Sequence, residues 1–266
     1  MSDKTAYILD ASSLFHRVWS QVVAGERRGI RVSADKQLRE RVHTMSSDLL
    51  EIARDGTETR LIAALDCGKT WRHDLYPPYK AHRPTKPPQQ LAFFDRAPAI
   101  LELEGCELYH SPGYEADDVI ASLATRLEGA GWVVHIITDD HDLYQLASDR
   151  IKIVVKDPKT KYVKACDAAV LEERLGYPVS KVPFFKALAG DQGDGIKMIR
   201  GFGDVSALPY VRQYDNVDAL WQDLEHVAAK DRRKMQEAGL ANLQLAERLT
   251  TLDRTTPVLR RRTLPA

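Results

Sequence analysis

Three carboxylic acids fall within four positions of the chain, at Glu115, Asp117 and Asp118. A proline–glycine turn precedes them, and apolar residues then recur at intervals of three and four, which predicts an amphipathic helix packed against a core. The three acids therefore lie in the first turn of that helix. Because acids in a first turn also complement the helix macrodipole, this segment alone leaves a metal-binding role and a purely structural role equally open.

Further aspartates follow predicted strands. Apolar runs at residues 5–10, 60–66 and 131–137 predict buried strands, and helical patterns separate them, which indicates an α/β fold with a parallel sheet. Ligands bind beyond the carboxyl ends of the strands in such sheets, although a single aspartate there is often only a helix cap. The acids that end or follow these runs are Asp10, Asp66, Asp140 and Asp142.

A glycine-rich segment, residues 190–204, adds two more acids. Asp191 and Asp194 lie three positions apart, and the later stretch from Gly201 to Gly203 joins two predicted helices by a tight turn whose backbone N–H groups suit a phosphate. The sequence further predicts strands at 106–110 and 151–155, a hairpin turn at 157–164, and helices at 14–22, 37–53, 89–104, 167–175, 182–188 and most of 204–249.

Residues 71–88 combine five prolines with alternating aromatic and basic side chains. The prolines keep this segment from forming an ordinary core element, and cations interleaved with aromatics suit a phosphodiester backbone and unstacked bases. A solvated basic loop would explain the composition equally well. Lys80 and Arg83 are three positions apart, so on a helix they would share one face. The aromatic and basic residues of the segment include Trp71, Arg72, Tyr76, Tyr79, Lys80, His82, Arg83 and Lys86.

Nine carboxylates thus follow a strand, begin a helix or lie in a glycine-rich turn. Oxygen ligands without cysteine or histidine favour Mg²⁺ or Mn²⁺ over zinc. So many acids would repel one another unless cations neutralised them, which favours a site for two or more ions. Such ions activate a water and stabilise the leaving oxygen when a phosphodiester is hydrolysed. The nine are Asp10, Asp66, Glu115, Asp117, Asp118, Asp140, Asp142, Asp191 and Asp194.

The totals agree with a globular enzyme. The 266 residues allow one large domain or a core with a smaller appendage, and 44% are apolar. The net charge is zero, but setting the nine candidate ligands aside leaves about nine more basic than acidic residues for the rest of the surface. No membrane span or secretory signal is expected. Three widely spaced cysteines fit neither a disulfide framework nor a zinc site and favour a reducing cytoplasm, which is the host's if a phage encodes the protein.

Six segments, in this order, resemble the 5′-nucleases of the bacterial and bacteriophage flap endonuclease family, and the chain is similar to the 5′-nuclease domain of bacterial DNA polymerase I. The segments are YILDASS (7–13), ALD (64–66), WRHDLYPPYKAHRP (71–84), EADDVI (115–120), ITDDHDLYQL (137–146) and ALAGDQGDGI (187–196).

The resemblance implies a PIN-like catalytic core over residues 1–180, with a helical arch at about 71–96. It also implies a helix–three-turn–helix DNA-binding region with C-terminal helices over 181–266. The expected activity is two-metal-ion hydrolysis of DNA with 5′ ends or flaps, by a monomer acting in replication and repair. Expected substrates are flapped, nicked or branched duplexes, with RNA–DNA primer junctions as a further class.

The resemblance also assigns roles to residues. Lys80, Arg83, Asp117 and Asp118 are expected to be catalytic, with Lys80 and Arg83 on phosphate, and Tyr79 is expected to stack on a base. A first metal cluster would comprise Asp10, Asp66, Glu115, Asp117 and Asp118, and a second Asp140, Asp142, Asp191 and Asp194. DNA contacts would come from Arg72, Tyr79, Lys80, Arg83, Lys86, Gly201 and Gly203, with a K⁺ ion at the glycine hairpin.

Other functions fit part of the sequence. A protein that binds branched nucleic acid without cutting would retain the acids as a scaffold, and a ribonuclease acting on RNA–DNA primers would share the metal site. A phosphatase for small substrates would explain Asp10 and the metal ligands but not the proline-rich basic segment. Retention of all nine carboxylates together with Lys80 and Arg83 favours the nuclease.

Overall fold

The computed structural model describes residues 4–53, 57–156 and 163–261. The hairpin turn predicted at 157–164 lies outside these residues, except for its last two, which begin a strand. In the part of the chain that is described, no helix combines the length and the apolar character needed to cross a membrane.

A seven-stranded sheet forms the centre of the described fold, in the order β6-β5-β4-β1-β2-β3-β7. The five strands from β5 to β3 run parallel, while β6 and β7 pair antiparallel at the two edges. This confirms the predicted α/β class. The strands are β1 (Lys4–Asp10), β2 (Glu58–Leu65), β3 (Glu107–His110), β4 (Val133–Ile137), β5 (Ile151–Lys156), β6 (Val163–Cys166) and β7 (Leu259–Arg260).

Helices cover the sheet and continue beyond it. Those around the sheet are α1 (Ala11–Glu26), α2 (Ala34–Ala53), α3 (Trp71–Leu75), α4 (Pro88–Leu103), α5 (Ala116–Gly129) and α6 (Ala168–Leu175). Those of the C-terminal region are α7 (Val182–Ala189), α8 (Asp204–Gln213), α9 (Val217–Gln222), α10 (Ala229–Ala238) and α11 (Leu240–Thr250), with short 3₁₀ helices at His141–Leu146, Val179–Lys181 and Leu224–His226.

The two faces of the sheet bury alternate residues of the same strands, as the pleat requires. Ala6 and Ile8 of β1 pack in the core cluster that contains α5, whereas Leu9 packs with α1, α2 and α4 on the opposite face. Both faces are covered, which explains why β1 and β2 read as nearly continuous apolar runs. A third core cluster contains buried residues from each of the helices α7 through α11. The predicted domain boundary at residue 180 stays a prediction.

The parallel register places the carboxyl ends of β1, β2 and β4 next to one another at the same end of the sheet. Asp10 pairs with Ala64, and Leu9 pairs with Ile137, so the residues that follow these strands emerge together. The chain turns directly into α1 after Asp10, and into a 3₁₀ helix shortly after β4. The acids that the sequence analysis assigned to strand ends therefore lie together at the carboxyl end of the parallel strands.

The predicted arch is not one helix. The segment from residue 76 to residue 87, between α3 and α4, consists of turns and irregular backbone. Lys80 has a left-handed backbone, with φ of 54°, which is incompatible with a continuing helix. The several prolines of this segment also oppose a continuous helix, because proline is poorly tolerated in a helix interior. Lys80 and Arg83 therefore lie on a turn, and their shared direction is set by their contacts rather than by a helical repeat.

Gly190 directs the chain from α7 into the loop that carries Asp191 and Asp194. Its φ is 88°, and a Cβ at this position would lie 2.9 Å from the Ile196 carbonyl oxygen. We expect Gly190→Ala to lower the free energy of unfolding by at least about 1 kcal/mol, because of both the backbone strain and this contact. Gly129→Ala is the matched control, because it has open space and an ordinary helical backbone. Equal urea-unfolding midpoints for the two variants would contradict this account.

Candidate active site

Asp10 occupies the carboxyl end of the central strand and begins α1. Its Oδ1 accepts a hydrogen bond from Ser13 N at 2.9 Å, and its Oδ2 accepts one from the Thr138 hydroxyl at 2.9 Å. The carboxylate is thus both a helix cap and part of the acidic edge. Burial, with help from neighbouring Asp66 and Asp140, raises the pKa of Asp10 to about 6 in spite of these two bonds.

The first turn of α5 brings two more acids to the same place. Glu115 is the N-cap residue, and the backbone N–H of Ala116 donates to Asp66 Oδ1 at 2.8 Å, which joins this helix to the end of β2. Burial first, and then the charges of Asp10, Asp140 and Glu115, hold the pKa of Asp117 well above its usual range. Among the described residues, the Asp117 carboxylate accepts no hydrogen bond. Nor does it form a close ion pair within the described part of the chain, although the charge of Lys80 offsets a small part of the rise in its pKa.

These acids line a cleft of about 310 Å³. Basic side chains from the segment after α3 line the same cleft, together with His16 of α1. The arrangement can neutralise and orient a phosphate beside a cluster of oxygen ligands. The acids of the cleft are Asp10, Asp66, Glu115, Asp117, Asp139 and Asp140, and the basic side chains are Lys80, Arg83 and Lys86.

A second acidic group lies beside the cleft. One carboxylate oxygen from each of Asp142, Asp191 and Asp194 lies within 4.8 Å of the others, a spacing at which all three could bind one metal ion. Lys186 at the end of α7 forms ion pairs with Asp142 and Asp191, the latter at 2.6 Å. Burial raises the pKa of Asp191, but the Lys186 charge and backbone N–H donors outweigh burial and lower it overall. The lysine thus supplies part of the positive charge that this group requires.

Two residues of the turn after α3 connect the acidic groups. The Lys80 ammonium lies 2.6 Å from Glu115 Oε1 and 3.8 Å from Asp194 Oδ1. The Tyr79 hydroxyl lies 2.8 Å from Glu115 Oε2 and 2.7 Å from Asp194 Oδ2, and its single proton can serve only one of them at a time. Arg83 donates to Asp194 Oδ1 at 2.8 Å. The contacts of Lys80 and Arg83 with acids, rather than a helix, bring these two cations together.

Three predicted roles conflict with the positions of their residues. Arg72 is 1% exposed and donates to both Asp118 oxygens, at 2.5 and 2.9 Å, so its guanidinium is not free to contact DNA. Asp118 is fully buried, and Arg72 and backbone N–H groups already occupy its oxygens, which leaves none for a metal ion or a reacting atom. Tyr79 is 2% exposed, so its ring offers no surface for a base to stack on.

The grouping of the acids also differs from the prediction. Asp140 lines the cleft with Asp10 and Asp66, and only Asp142, Asp191 and Asp194 gather in the second group. The reason is local, because Asp140 caps the 3₁₀ helix and faces outward, whereas Asp142 lies inside its first turn and is buried. The metal-binding role of each of the other eight acids stays a prediction.

Sequence reasoning missed the residues that hold the acids in place. Lys186 precedes Asp191 by five positions in an apolar helix, and a lone cation there was a usable signal. Ser12 donates to Asp66, and Thr138 donates to Asp10, but single hydroxyl residues after strands carry no distinctive pattern. These partners become visible only when the strands are placed side by side.

The glycine hairpin lies between α7 and α8, as predicted. Gly201 has a φ of 64°, and Gly203 is the N-cap residue of α8. The Gly201 carbonyl accepts a hydrogen bond from the Lys234 ammonium at 2.7 Å. A K⁺ ion at this hairpin would need carbonyl oxygens of this kind, and Lys234 already supplies a cation to one of them.

A family model for the 5′-3′ exonuclease N-terminal resolvase-like domain matches residues 5–176. The chain therefore belongs to the 5′-3′ exonuclease family, and the predicted resemblance and nuclease class are confirmed. It is 30% identical to DNA polymerase I of Mycobacterium bovis over 258 residues, which are 96% of this chain and 28% of the relative. It is 33% identical to thermostable DNA polymerase I of Thermus thermophilus over 220 residues, 82% of this chain and 25% of the relative. The chain thus spans about a quarter of the length of these relatives.

Solved structures confirm the fold. T5 5′-exonuclease with bound divalent zinc ions superimposes with a TM-score of 0.68 at 18% identity, covering 94% of this chain and 90% of that one. The catalytic core of Rad2 in complex with DNA substrate superimposes with a TM-score of 0.59 at 17% identity, covering 97% and 82%. The predicted PIN-like sheet is therefore confirmed, while the helix–three-turn–helix assignment stays a prediction.

Removing the Lys186 charge tests the electrostatics of the second acidic group. In EDTA, we expect Lys186→Met to lower the free energy of unfolding by about 2 kcal/mol, because Asp142 and Asp191 lose their cation in a mostly buried site. Excess Mn²⁺ should recover most of that loss. Denaturant unfolding with and without Mn²⁺ measures both effects.

Lys197→Met is the matched control, since Lys197 is exposed on the neighbouring loop. If Lys186→Met is as stable as the parent in EDTA, Lys186 does not balance these carboxylates.

Proposed function

We propose that the protein is a divalent-metal-dependent nuclease that hydrolyses phosphodiester bonds in DNA with 5′ ends or flaps. One observation carries the proposal, namely the single cleft that is lined both by acids and by Lys80, Arg83 and Lys86. Acids alone would suit many metal enzymes, and basic residues alone would suit any anion. Together they fit a substrate that carries phosphate along its length.

The carboxylates of the site are suited to bind two or more Mg²⁺ or Mn²⁺ ions. Oxygen ligands of the first site would come from Asp10, Asp66, Glu115, Asp117 and Asp140, and those of the second from Asp142, Asp191 and Asp194. The raised pKa values of Asp10 and Asp117 support this role, since a bound cation offsets the burial and repulsion that disfavour their charged forms. Divalent ions, when bound, supply an activated water and charge for the leaving oxygen.

Lys80, Arg83 and Lys86 would orient the substrate in the cleft. Arg83 and Lys86 are exposed, and the Lys80 side chain is 19% exposed, so these cations are accessible to an incoming phosphate. Glu115 and Asp194 would hold Lys80 and Arg83 less strongly if these carboxylates also bound metal ions. These residues then place the scissile phosphate and stabilise charge on its oxygens during hydrolysis.

The C-terminal helices would hold the duplex part of the substrate. Gly201 and Gly203 present backbone at the start of α8, where N–H groups favour a phosphate oxygen, and α10 carries basic residues nearby. Contacts of this kind are independent of base sequence. The Rad2 catalytic core, which has the same fold, has been solved in complex with DNA substrate. We extend the proposal to flapped, nicked and branched duplexes and RNA–DNA primer junctions, bound by a monomer.

The proposal is tested with a 5′-flap duplex labelled at its 5′ end, incubated with the protein in Mg²⁺, in Mn²⁺ and in excess EDTA. We expect metal-dependent cleavage near the junction, and Lys80→Ala should lower the single-turnover rate by about two orders of magnitude with little change in affinity. Lys36→Ala is the matched control, because Lys36 is an exposed α2 residue that does not line the cleft.

Three outcomes separate the alternatives. Binding of the flap without cleavage in any metal would identify a non-catalytic branched-DNA-binding protein. Cleavage confined to an RNA-containing flap would identify a ribonuclease. Equal cleavage in EDTA would contradict the metal-dependent mechanism.

A further inference from the structure

The last residues of α11 and the segment that follows them are bound to α5 and its neighbours by hydrogen bonds. We refer to residues 249–256 as the C-terminal tether. The Ser122 hydroxyl of α5 donates to Asp253 O at 3.1 Å, and Arg126 at the other end of α5 donates to Thr256 O at 2.9 Å. The Gln145 side chain donates to Thr250 O and accepts from Leu252 N, both at 3.0 Å. The tether is thus bound along its length by side chains of α5 and of the 3₁₀ helix at His141–Leu146.

Arg72 connects this tether to the acidic helix start. Its Nε donates to Leu249 O at 2.8 Å and its Nη2 to Thr251 O at 3.3 Å, while Nη1 and Nη2 both donate to the Asp118 carboxylate. The guanidinium is buried, and its central carbon and that of Arg248 each lie 4.4 Å from the centroid of the Trp71 ring. A single side chain therefore holds two tether carbonyls and one carboxylate of α5.

Asp118 links Arg72 and the tether to the first turn of α5. Its Oδ1 accepts from Asp253 N at 3.0 Å, and its Oδ2 accepts from Glu115 N at 3.3 Å. Arg72 Nη1 also lies 3.6 Å from Glu115 Oε2. The carboxylate thus binds the tether backbone on one side and the N-cap residue of α5 on the other. Glu115 and Asp117, which begin the same helix, line the cleft.

We propose that Arg72 is a positioning residue that ties the C-terminal tether to the first turn of α5 and so holds Glu115 and Asp117 in the geometry that binds metal. This inference rests on the proposed metal-dependent nuclease function. It reassigns Arg72 and Asp118 from contacts with substrate and metal to support for the residues that make those contacts. It also extends the support of the active site to residues far beyond the end of the family match at residue 176.

The chemistry of arginine explains why this position carries one. A guanidinium has five N–H donors in one rigid plane, which here serve a carboxylate and two carbonyl oxygens in different directions. A lysine could pair with Asp118 but would leave the Leu249 and Thr251 carbonyls without this donor. Substituting a residue that holds a metal ligand in place typically lowers metal affinity by about tenfold to a hundredfold.

The test compares Arg72→Lys and Arg72→Met with Arg126→Met in the full chain. Arg126 is the matched control, because it also binds the tether from α5 but lies at the end of the helix distant from the cleft. Three measurements apply to each variant: Mn²⁺ affinity by electron paramagnetic resonance, hydrogen exchange of residues 115–119, and single-turnover cleavage of a flap duplex over a range of substrate concentrations.

For Arg72→Lys, we expect Mn²⁺ affinity to fall about tenfold and exchange in the first turn of α5 to quicken by a similar factor. The maximal cleavage rate should fall, while the substrate concentration at half-maximal rate should change little. Arg72→Met should show larger effects in the same direction, and Arg126→Met should match the parent in Mn²⁺ affinity and in exchange over residues 115–119.

Parental Mn²⁺ affinity and parental exchange over residues 115–119 in folded Arg72→Lys would overturn the proposal. If Arg72→Met does not fold, Arg72→Lys alone decides the question. A selective rise in the substrate concentration at half-maximal rate, with Mn²⁺ affinity unchanged, would instead restore Arg72 as a DNA contact. Failure of the parent to cleave any flap would count against the proposed function only, because Mn²⁺ affinity and exchange do not depend on cleavage.

Discussion

Mutual repulsion among converging carboxylates is the constraint on which the site depends. Parallel strands deliver Asp10 and Asp66 to one edge of the sheet, and α5 adds Glu115 and Asp117 to the same cleft. At effective protein dielectric constants, each close pair of like charges costs on the order of a few kcal/mol. The protein offsets part of this with its own cations, since Lys80 and Arg83 contact Glu115 or Asp194, and Lys186 contacts Asp142 and Asp191. Asp117 has no such partner among the described residues, so bound cations are the natural complement of the remaining charge.

Two kinds of ion pair serve this arrangement in different ways. The pairs of Lys80, Arg83 and Lys186 involve acids near the cleft, and those cations can exchange their partners for metal ions and phosphate. The Arg72–Asp118 pair is buried and saturated with hydrogen bonds, so it cannot exchange. A buried ion pair whose hydrogen bonds are all satisfied fixes the geometry around it more than it adds to the stability of the protein. The first kind therefore prepares the cleft for its ligands, while the second fixes the helix start that carries Glu115 and Asp117.

Much of the fold and the composition of the site could be predicted from the sequence. Buried parallel strands read as apolar runs, so the ends of β1 and β2 and the acids after them were visible, as was the helix that begins after Glu115. The roles of Arg72, Tyr79 and Asp118 could not be read in this way, because basic, aromatic and acidic residues look alike in sequence whether they face solvent or each other. Arg72 and Asp118 are hydrogen-bonded to α11 and the tether, and Tyr79 to Asp194, in each case more than a hundred residues further along the chain. The turn at Lys80 depends likewise on a backbone bond to the Asp194 carbonyl.

The most direct measurement is the thermal unfolding midpoint of Asp117→Asn and the parent, each in EDTA and in excess Mn²⁺. Because the Asp117 carboxylate repels its neighbours and accepts no hydrogen bond among the described residues, the account predicts a higher midpoint for the variant in EDTA. A gain of 1 kcal/mol corresponds to about 2–4 °C for a chain of this size. Mn²⁺ should raise the midpoint of the parent more than that of the variant, because binding stabilises only a site that retains its ligands. A lower midpoint for the variant in EDTA, with an equal Mn²⁺ effect in both proteins, would contradict the account.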